Sequence, residues 1–375
     1  MARLGDIATY INGYAFKPSD WSDTGLPIIR IQDLTGNLYQ ANRYNGEYAP
    51  KYEVNDGDVL ISWSASLGIY VWHGEKALLN QHIFKVVFDK TEISKTFFVH
   101  QVENILEKAT SEAHGATMKH LTKPVFDALP FYLPPLDEQR KIAAVLDKVN
   151  DLIAKRRQQL DKLDEAVKAR FVEIFGEPDE NPKHWQEDEL SHHLKVIGGY
   201  AFKSDGFTDE GIPVLRIGNI NSGHFLPVNM VYWPDDLALA RYKVFPGDLV
   251  MSLTGTVGKD DYGNVCILGA DYDEYYLNQR NAKLSIEKSL NKCYFSELLK
   301  FPRIKKRLTG ISRGIRQANI SNKDILTLRV PMPPIELQEQ FAAFVEQTEK
   351  TKIIISHSLE KLETLKKALM QEYFG

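Results

Sequence analysis

The sequence predicts an α+β fold built twice: two duplicated β-rich domains joined by a long antiparallel two-helix coiled coil with pseudo-twofold symmetry. Three observations carry this. Six sequence blocks recur in one fixed order. Each copy passes from a turn-rich texture with short β-branched runs to an uninterrupted helical pattern. The chain has 375 residues, room for two or three domains at roughly 100–200 residues each.

The repeat comes first, because a missed duplication misreads a whole fold. GYAFK stands at Gly13–Lys17 and at Gly199–Lys203. GLPIIRIQDL from Gly25 returns as GIPVLRIGNI from Gly211, and GDVLIS from Gly57 as GDLVMS from Gly247. LNQ begins at Leu79 and again at Leu277. LPPLDEQRKIAAVLD from Leu133 matches MPPIELQEQFAAFVE from Met332, and EIFG ending at Gly176 matches EYFG ending at Gly375. The spacing between copies drifts early and is constant from the proline pair onward, so insertions belong to the first part of each copy.

Within each copy, PIIRI, DVLISW and IFKVVF, then PVLRI, DLVMSL and AKLSI, read as strands, being β-branched runs bounded by turn residues. EISKTFFVHQVENILEKA and SLNKCYFSELLKFPRIKKRL each read as one helix. Pro134-Pro135 and Pro333-Pro334 punctuate the next element, since proline is tolerated at a helix entry. Apolar residues then recur at a mean step near 3.5, the seam of a coiled coil. In the first copy the seam is Ile142, Val145, Val149, Ile153, Leu160 and Leu163; in the second it is Phe341, Val345, Ile355, Leu359, Leu362 and Leu369. The seam is weakened at Arg156 and Thr348. About 40 residues at ~1.5 Å each make a rod of ~60 Å. Two such rods bury their seams most simply against each other, antiparallel, like a caliper with a head at each end. The expected domains are 1–134, 135–176, 177–333 and 334–375.

Composition narrows the chemistry. Lys and Arg number 46 against 50 Asp and Glu, a net charge of −4, so any nucleic-acid contact must come from local patches. Two cysteines, Cys266 and Cys293, cannot make a disulfide framework or a four-cysteine zinc site. No apolar run approaches the ~18 residues of a membrane span, and the opening MARLGDIATYINGYAF lacks the apolar core of a signal peptide; a cytoplasmic protein is expected. Gly255-Thr256-Val257-Gly258-Lys259 imitates a phosphate loop, but only two residues separate its glycines and Asp260 stands where Ser or Thr should be; it reads as a buried turn. His192-His193 reads as surface. No HExxH and no Cys/His spacing for a metal occurs, and no catalytic constellation emerges.

Binding chemistry is more visible. From Arg303 to Arg329 the chain carries eight Lys or Arg against one acid, Asp324. Arg313 and Arg316 lie in its Gly-rich centre, suited to phosphate contact and guanine readout, and Gln317 and Asn319 suit adenine edges. The corresponding stretch of the first copy offers Lys119 and His120. A second surface is the loop after the GD strand, with Ser62 and Ser64 in one copy and Thr254 and Lys259 in the other. Lys17 and Lys203 close the GYAFK blocks and suit backbone phosphate. Arg30, Gln32, Arg216, Asn219 and Arg280 complete the candidate DNA-binding set. The acids of the connector EPDENPKHWQEDEL offset the basic segment in the overall charge.

These blocks resemble the specificity subunit of type I restriction-modification systems. The resemblance covers essentially the whole chain and rests on GYAFK with PIIRIQDL, GDVLIS, the Gly115–Leu121 stretch, and LPPLDEQRKIAAVLD followed by a long helix ending in IFG. It implies two target-recognition domains, each followed by a conserved helical spacer, with the spacers forming an antiparallel coiled coil. Each domain would read one part of a split duplex DNA target, and the coil would set the unread gap. Two methyltransferase subunits, and two restriction subunits in a full complex, would assemble on the chain. S-adenosylmethionine, ATP and magnesium would belong to those partners, with no cofactor in this chain, which would not itself be an enzyme. The competing readings are a scaffold of two ligand-binding modules that meets no DNA, and an enzyme with a hidden site.

Overall fold

The computed structural model describes residues 1–36, 42–64, 66–112, 122–221, 223–259, 261–310 and 317–375. The chain divides into two compact units, Met1–Gln158 with Ser356–Gly375, and Gln159–Ile355.

The first unit holds two four-stranded sheets. One runs Thr9–Asn12, Ile83–Val87, Val59–Ser62, Gly68–Val71, antiparallel throughout. The other runs Arg43–Tyr44, Leu26–Ile29, Ala77–Leu79, Glu53–Val54, with a parallel pair at its centre, Ile28 opposite Leu78. The GDVLIS block explains the layering. Successive strand side chains point to opposite faces. Val59 and Ile61 join a core with Phe97, Phe98 and Ile142 of the helices, while Leu60 joins Ile29, Val54 and Leu79 of the other sheet. Both faces are covered, so the strand carries no charge.

The second unit repeats the plan. Its sheets run Leu194–Gly198, Asn281–Ile286, Leu249–Ser252, Val265–Ile267, and Val231–Trp233, Ile212–Leu215, Tyr275–Leu277, Lys243–Val244. Val214 lies opposite Tyr276 in the equivalent parallel pair. Leu249 and Met251 face Phe295 and Phe341, and Val250 faces Leu215, Val244 and Leu277.

The helix predicted late in the first copy spans Lys95–Glu112. Its counterpart is two helices, Lys292–Leu298 and Pro302–Thr309. Pro302 has no N–H to continue the first ladder and a φ already suited to a helix start, so the chain breaks there.

Two 40-residue helices, Leu136–Phe175 and Ile335–Phe374, follow the proline pairs. In the first unit Ile142, Val149 and Ile153 are buried as expected, but Val145 is 40% exposed and Leu146 fully buried in its place. The steps 142, 146, 149, 153 keep one stripe, and Val145 is turned ~100° from Leu146 on an α-helix. Leu359, Leu362 and Leu369 are half-buried, and Met370 is the buried residue of that stretch. Arg157 pairs with Glu363 at 2.7 Å. In the second unit Leu160, Leu163, Val345 and Ile355 are half-buried and Phe341 fully buried. Lys352 meets Asp164 at 2.5 Å, while Phe341 meets Phe171 edge-on at 5.4 Å, so the two segments run in opposite senses there. Thr348 is buried, and its hydroxyl donates to the Phe344 carbonyl at 2.9 Å. A hydroxyl satisfied inside its own helix avoids most of the burial penalty.

Candidate nucleic-acid interface

Two recurring blocks meet in each unit. The Tyr14 N–H donates to the Leu79 carbonyl and the Tyr200 N–H to the Leu277 carbonyl, both at 2.8 Å. A Cβ on Gly13 would sit 2.1 Å from the Asn80 carbonyl oxygen, and one on Gly199 2.2 Å from that of Asn278. The glycine of GYAFK is therefore required by its seat on LNQ.

The residue after LNQ holds the strand that leads to the candidate loop. The Leu253 N–H donates to the Arg280 carbonyl at 2.8 Å, and the Trp63 N–H to the His82 carbonyl at 3.4 Å. Arg280 and His82 thus occupy equivalent places with different side chains. Arg280 is exposed. His82 lies against Trp63, ring centroids 5.5 Å apart, and its Nε2 is 3.1 Å from Gln81 Nε2. Trp63 Nε1 donates to Asn12 Oδ1 at 3.3 Å. Trp63, Gln81 and His82 are not among the residues the sequence nominates, and the signal that points to them is the position after LNQ, where Arg280 stands in the second copy.

In the second unit the two candidate surfaces join. Thr254–Thr256 pairs antiparallel with Gln317–Asn319, Thr254 opposite Asn319. Ala318 and Ile320 are buried and Asn319 is exposed between them. Asp261 accepts from the Thr256 N–H at 2.8 Å and its hydroxyl at 2.9 Å. The bond from the Thr256 N–H holds the Asp261 carboxyl below the usual carboxylate range. Tyr262 and Lys305 tie the loop to the Pro302–Thr309 helix, through the Thr309 carbonyl at 2.6 Å and Asn264 Oδ1 at 2.8 Å. Lys259 is exposed beyond Gly258, whose φ is +79°. The expected buried turn is therefore an exposed one.

The other expectations divide. Lys17 and Lys203 are exposed, each before a short 3-10 turn. The Arg30 guanidinium lies 4.6 Å from the Trp21 ring centroid, and Gln32 is half-buried. Arg216 is exposed and donates to the Asn229 carbonyl. Three candidates are corrected. Ser62 is fully buried, its hydroxyl donating to the Ser66 carbonyl at 2.5 Å, and Ser64 is buried beside it. Asn219 is 2% exposed; its Oδ1 accepts from the Arg216 N–H, and its amide donates to the carbonyls of Leu226 and Val228. Ser62 and Asn219 brace loops from inside. Thr254 differs: among the described residues its Oγ1 is buried with no hydrogen-bond partner. Lys119, His120, Arg313, Arg316 and the Gly115–Leu121 stretch lie outside the described residues, as does the side chain of Gln317.

The basic segment is less uniform than its letters. The Arg307 guanidinium lies 3.9 Å from Asp179 and 4.0 Å from Glu187. Arg329 donates to the Glu187 carbonyl at 2.7 Å, with its guanidinium 4.0 Å from Glu189. The connector acids sit on two of the eight cations. His192 and His193 bracket Asp188 at 3.0 and 3.2 Å; His193 is largely covered rather than on the surface. Among the described residues no cluster of His, Cys, Asp or Glu suits a metal ion, and no helix is long and apolar enough to cross a membrane.

A family model described as the type I restriction modification DNA specificity domain matches residues 1–164 and again 182–364. The chain belongs to that family. Members of the type I restriction-modification specificity family recognise DNA and are not themselves catalysts, and that is the role of this chain. Its relatives include the EcoBI specificity subunit of Escherichia coli, 24% identical over 413 aligned positions, covering 99% of this chain and 84% of the relative. The MjaVIII specificity subunit of Methanocaldococcus jannaschii is 25% identical over 394 positions, covering 99% and 90%. Among solved structures, the type I S subunit from M. genitalium superposes with a TM-score of 0.57 at 14% identity, covering 100% of this chain and 95% of that one. A chain from a study of type I complex assembly and conformational transition gives 0.57 at 17%, covering 100% and 96%. These two likenesses establish the specificity-family fold, mixed helix and sheet in two repeated domains.

Proposed function

We propose that the chain reads a bipartite duplex DNA target, one half-site per repeated domain, for a complex with two methyltransferase subunits and, where a nuclease is present, two restriction subunits. The observation that carries this reading is one topology built twice with different side chains at the equivalent edge. In the second unit that edge holds Arg280, Asn319 and Lys259. In the first it holds His82 in the place of Arg280, with Trp63 and Asn12 beside it. Arg offers bidentate donors to guanine, and amides suit adenine; unlike chemistry on one frame fits unlike half-sites. Lys17 and Lys203 fit backbone phosphates. In this reading the two 40-residue helices form one antiparallel coiled coil whose ~60 Å length sets the gap, in phase with the turn of B-DNA. S-adenosylmethionine, ATP and magnesium belong to the partner subunits.

The test is co-expression with the methyltransferase subunits, followed by mapping of methylated adenines. The expected result is a split, asymmetric motif with one gap length. Arg280→Ala should relax bases in one half only. A continuous motif, or none, overturns the reading.

A further inference from the structure

One buried contact is duplicated where each sheet domain meets its long helix. Gln139 is 2% exposed and Gln338 fully buried. Gln139 Nε2 donates to the Pro134 carbonyl at 2.8 Å, and its Oε1 accepts the Ser94 N–H at 2.9 Å. Gln338 Nε2 donates to the Pro333 carbonyl at 2.8 Å, and its Oε1 accepts the Asn291 N–H at 2.8 Å. Each glutamine therefore spans from the proline pair that opens the long helix to the residue preceding the Lys95–Glu112 or Lys292–Leu298 helix. The next residue continues the path. Lys95 Nζ donates to the Gly57 carbonyl, and Lys292 Nζ to the Gly247 carbonyl at 2.8 Å. Gly57 and Gly247, at φ +83° and +85°, open the GDVLIS and GDLVMS blocks, whose strands Val59–Ser62 and Leu249–Ser252 run to the candidate loops.

From this duplicated geometry we infer that Gln139 and Gln338 are positioning residues that set the angle of each recognition domain on its helix, and thereby the gap the protein accepts between half-sites. Neither touches the candidate DNA-reading edge. Both are buried at the joint, and packing alone would be served by Leu or Met. A buried amide needs its partners in place, and a polar contact with fixed donor and acceptor directions admits one arrangement where greasy packing admits several. The same four-atom pattern at two sites that differ in the surrounding side chains marks a requirement of the joint. Ser94 and Phe97 at one joint stand in the places that Asn291 and Tyr294 hold at the other.

The inference rests on the bipartite reading above, and one experiment separates their failures. The full chain, Gln139→Met and Lys95→Met are each co-expressed with the methyltransferase subunits over a plasmid library of randomised sequence. Methylated adenines are mapped, so neither target nor gap need be known beforehand. The unaltered chain is expected to give one gap. Gln139→Met should spread methylation to gaps one base pair longer or shorter, narrowing the preference for the native gap from at least about tenfold to within about threefold, as expected when a geometric constraint worth roughly one tenfold factor is removed. The bases read in each half should stay the same. A merely structural role would lower yield and melting temperature and leave the surviving protein with a single gap. Lys95 is exposed, so Lys95→Met folds even if the glutamine variant does not; it should broaden the gap in the same sense, by a smaller factor. A single sharp gap in both folded variants, or in Lys95→Met alone should Gln139→Met not fold, overturns the inference. Should the unaltered chain give no split motif, the bipartite reading fails, and this inference with it.

Discussion

Phe341 offers the sharpest test of how the long helices pack in the second unit. It is fully buried and meets Phe171 at 5.4 Å and Phe175 at 5.6 Å, both edge-on. Phe171 in turn stacks on Tyr294 at 5.4 Å and tilts against Phe301 at 5.0 Å. Removing a ring from such a site costs the transfer energy of the lost atoms and a cavity the neighbours cannot fill. Phe341→Ala should therefore lose about 3–5 kcal/mol of unfolding free energy. Phe171→Ala, with more ring neighbours, should fall at the upper end of that range. The pairwise part is isolated with leucine, which keeps most of the volume. A double-mutant cycle of Phe171→Leu and Phe341→Leu should return a coupling of about 0.5–1.5 kcal/mol. The assay is urea unfolding of protein labelled with fluorotryptophan, followed by the fluorine NMR resonance of Trp185, since that indole donates to the Phe175 carbonyl at 2.9 Å and reports this core. Two units can unfold separately, so the transition seen by Trp185 is fitted alone. Single variants within 1 kcal/mol of the parent, or leucine effects that simply add, would refute the packing and the antiparallel pairing that rests on it.

Two further outcomes are expected. Gly199→Ala places a methyl 2.2 Å from the Asn278 carbonyl oxygen and should cost about 1–3 kcal/mol. Gly218→Ala, with nothing within 4 Å, should stay within about 0.5 kcal/mol; equal melting temperatures for the two would show that the GYAFK seat is not tight. Asp188 is held down to about 2, first by the Glu189 N–H and then by His192. A lowered carboxylate contributes stability above its ordinary value of 3.8 and loses it as pH falls through the folded value. Asp188→Asn should therefore flatten the stability curve between about pH 4 and pH 2, and an unchanged slope in acid titration would count against that contact.

Much of the fold was open to reading in the letters because it is repeated. GDVLIS and GDLVMS announce themselves as strands buried on both faces, and the proline pairs mark where the long helices start. The helix after Ser289 was misjudged because apolar spacing continues through Phe301 while Pro302 ends the ladder. The sequence does not decide between Val145 and Leu146, because a step of three and a step of four are both plausible after Ile142, and only the opposing surface selects Leu146. The candidate interface was harder. Ser62, Ser64 and Asn219 have the residue types of readers, yet all three are buried and the hydrogen bonds of Ser62 and Asn219 turn inward, and nothing local in the sequence distinguishes a bracing hydroxyl from a presented one. Arg307 and Arg329 count toward a basic run, but their charges are met by acids more than a hundred residues earlier in the chain. Gln139 and Gln338 were visible within the repeated LPPLDEQ and MPPIELQ blocks, where an unchanged amide at a helix start was the available signal.

The position after LNQ separates two duties within one residue. Its carbonyl holds the neighbouring strand, a task any amino acid performs with its backbone, and at Arg280 the side chain is left outside the packing. Substitution there leaves the backbone bond in place, so under the proposed reading a single codon change alters what the edge presents to DNA. In that reading architecture and preference are kept apart, and new preferences can be sampled without first solving the folding problem again.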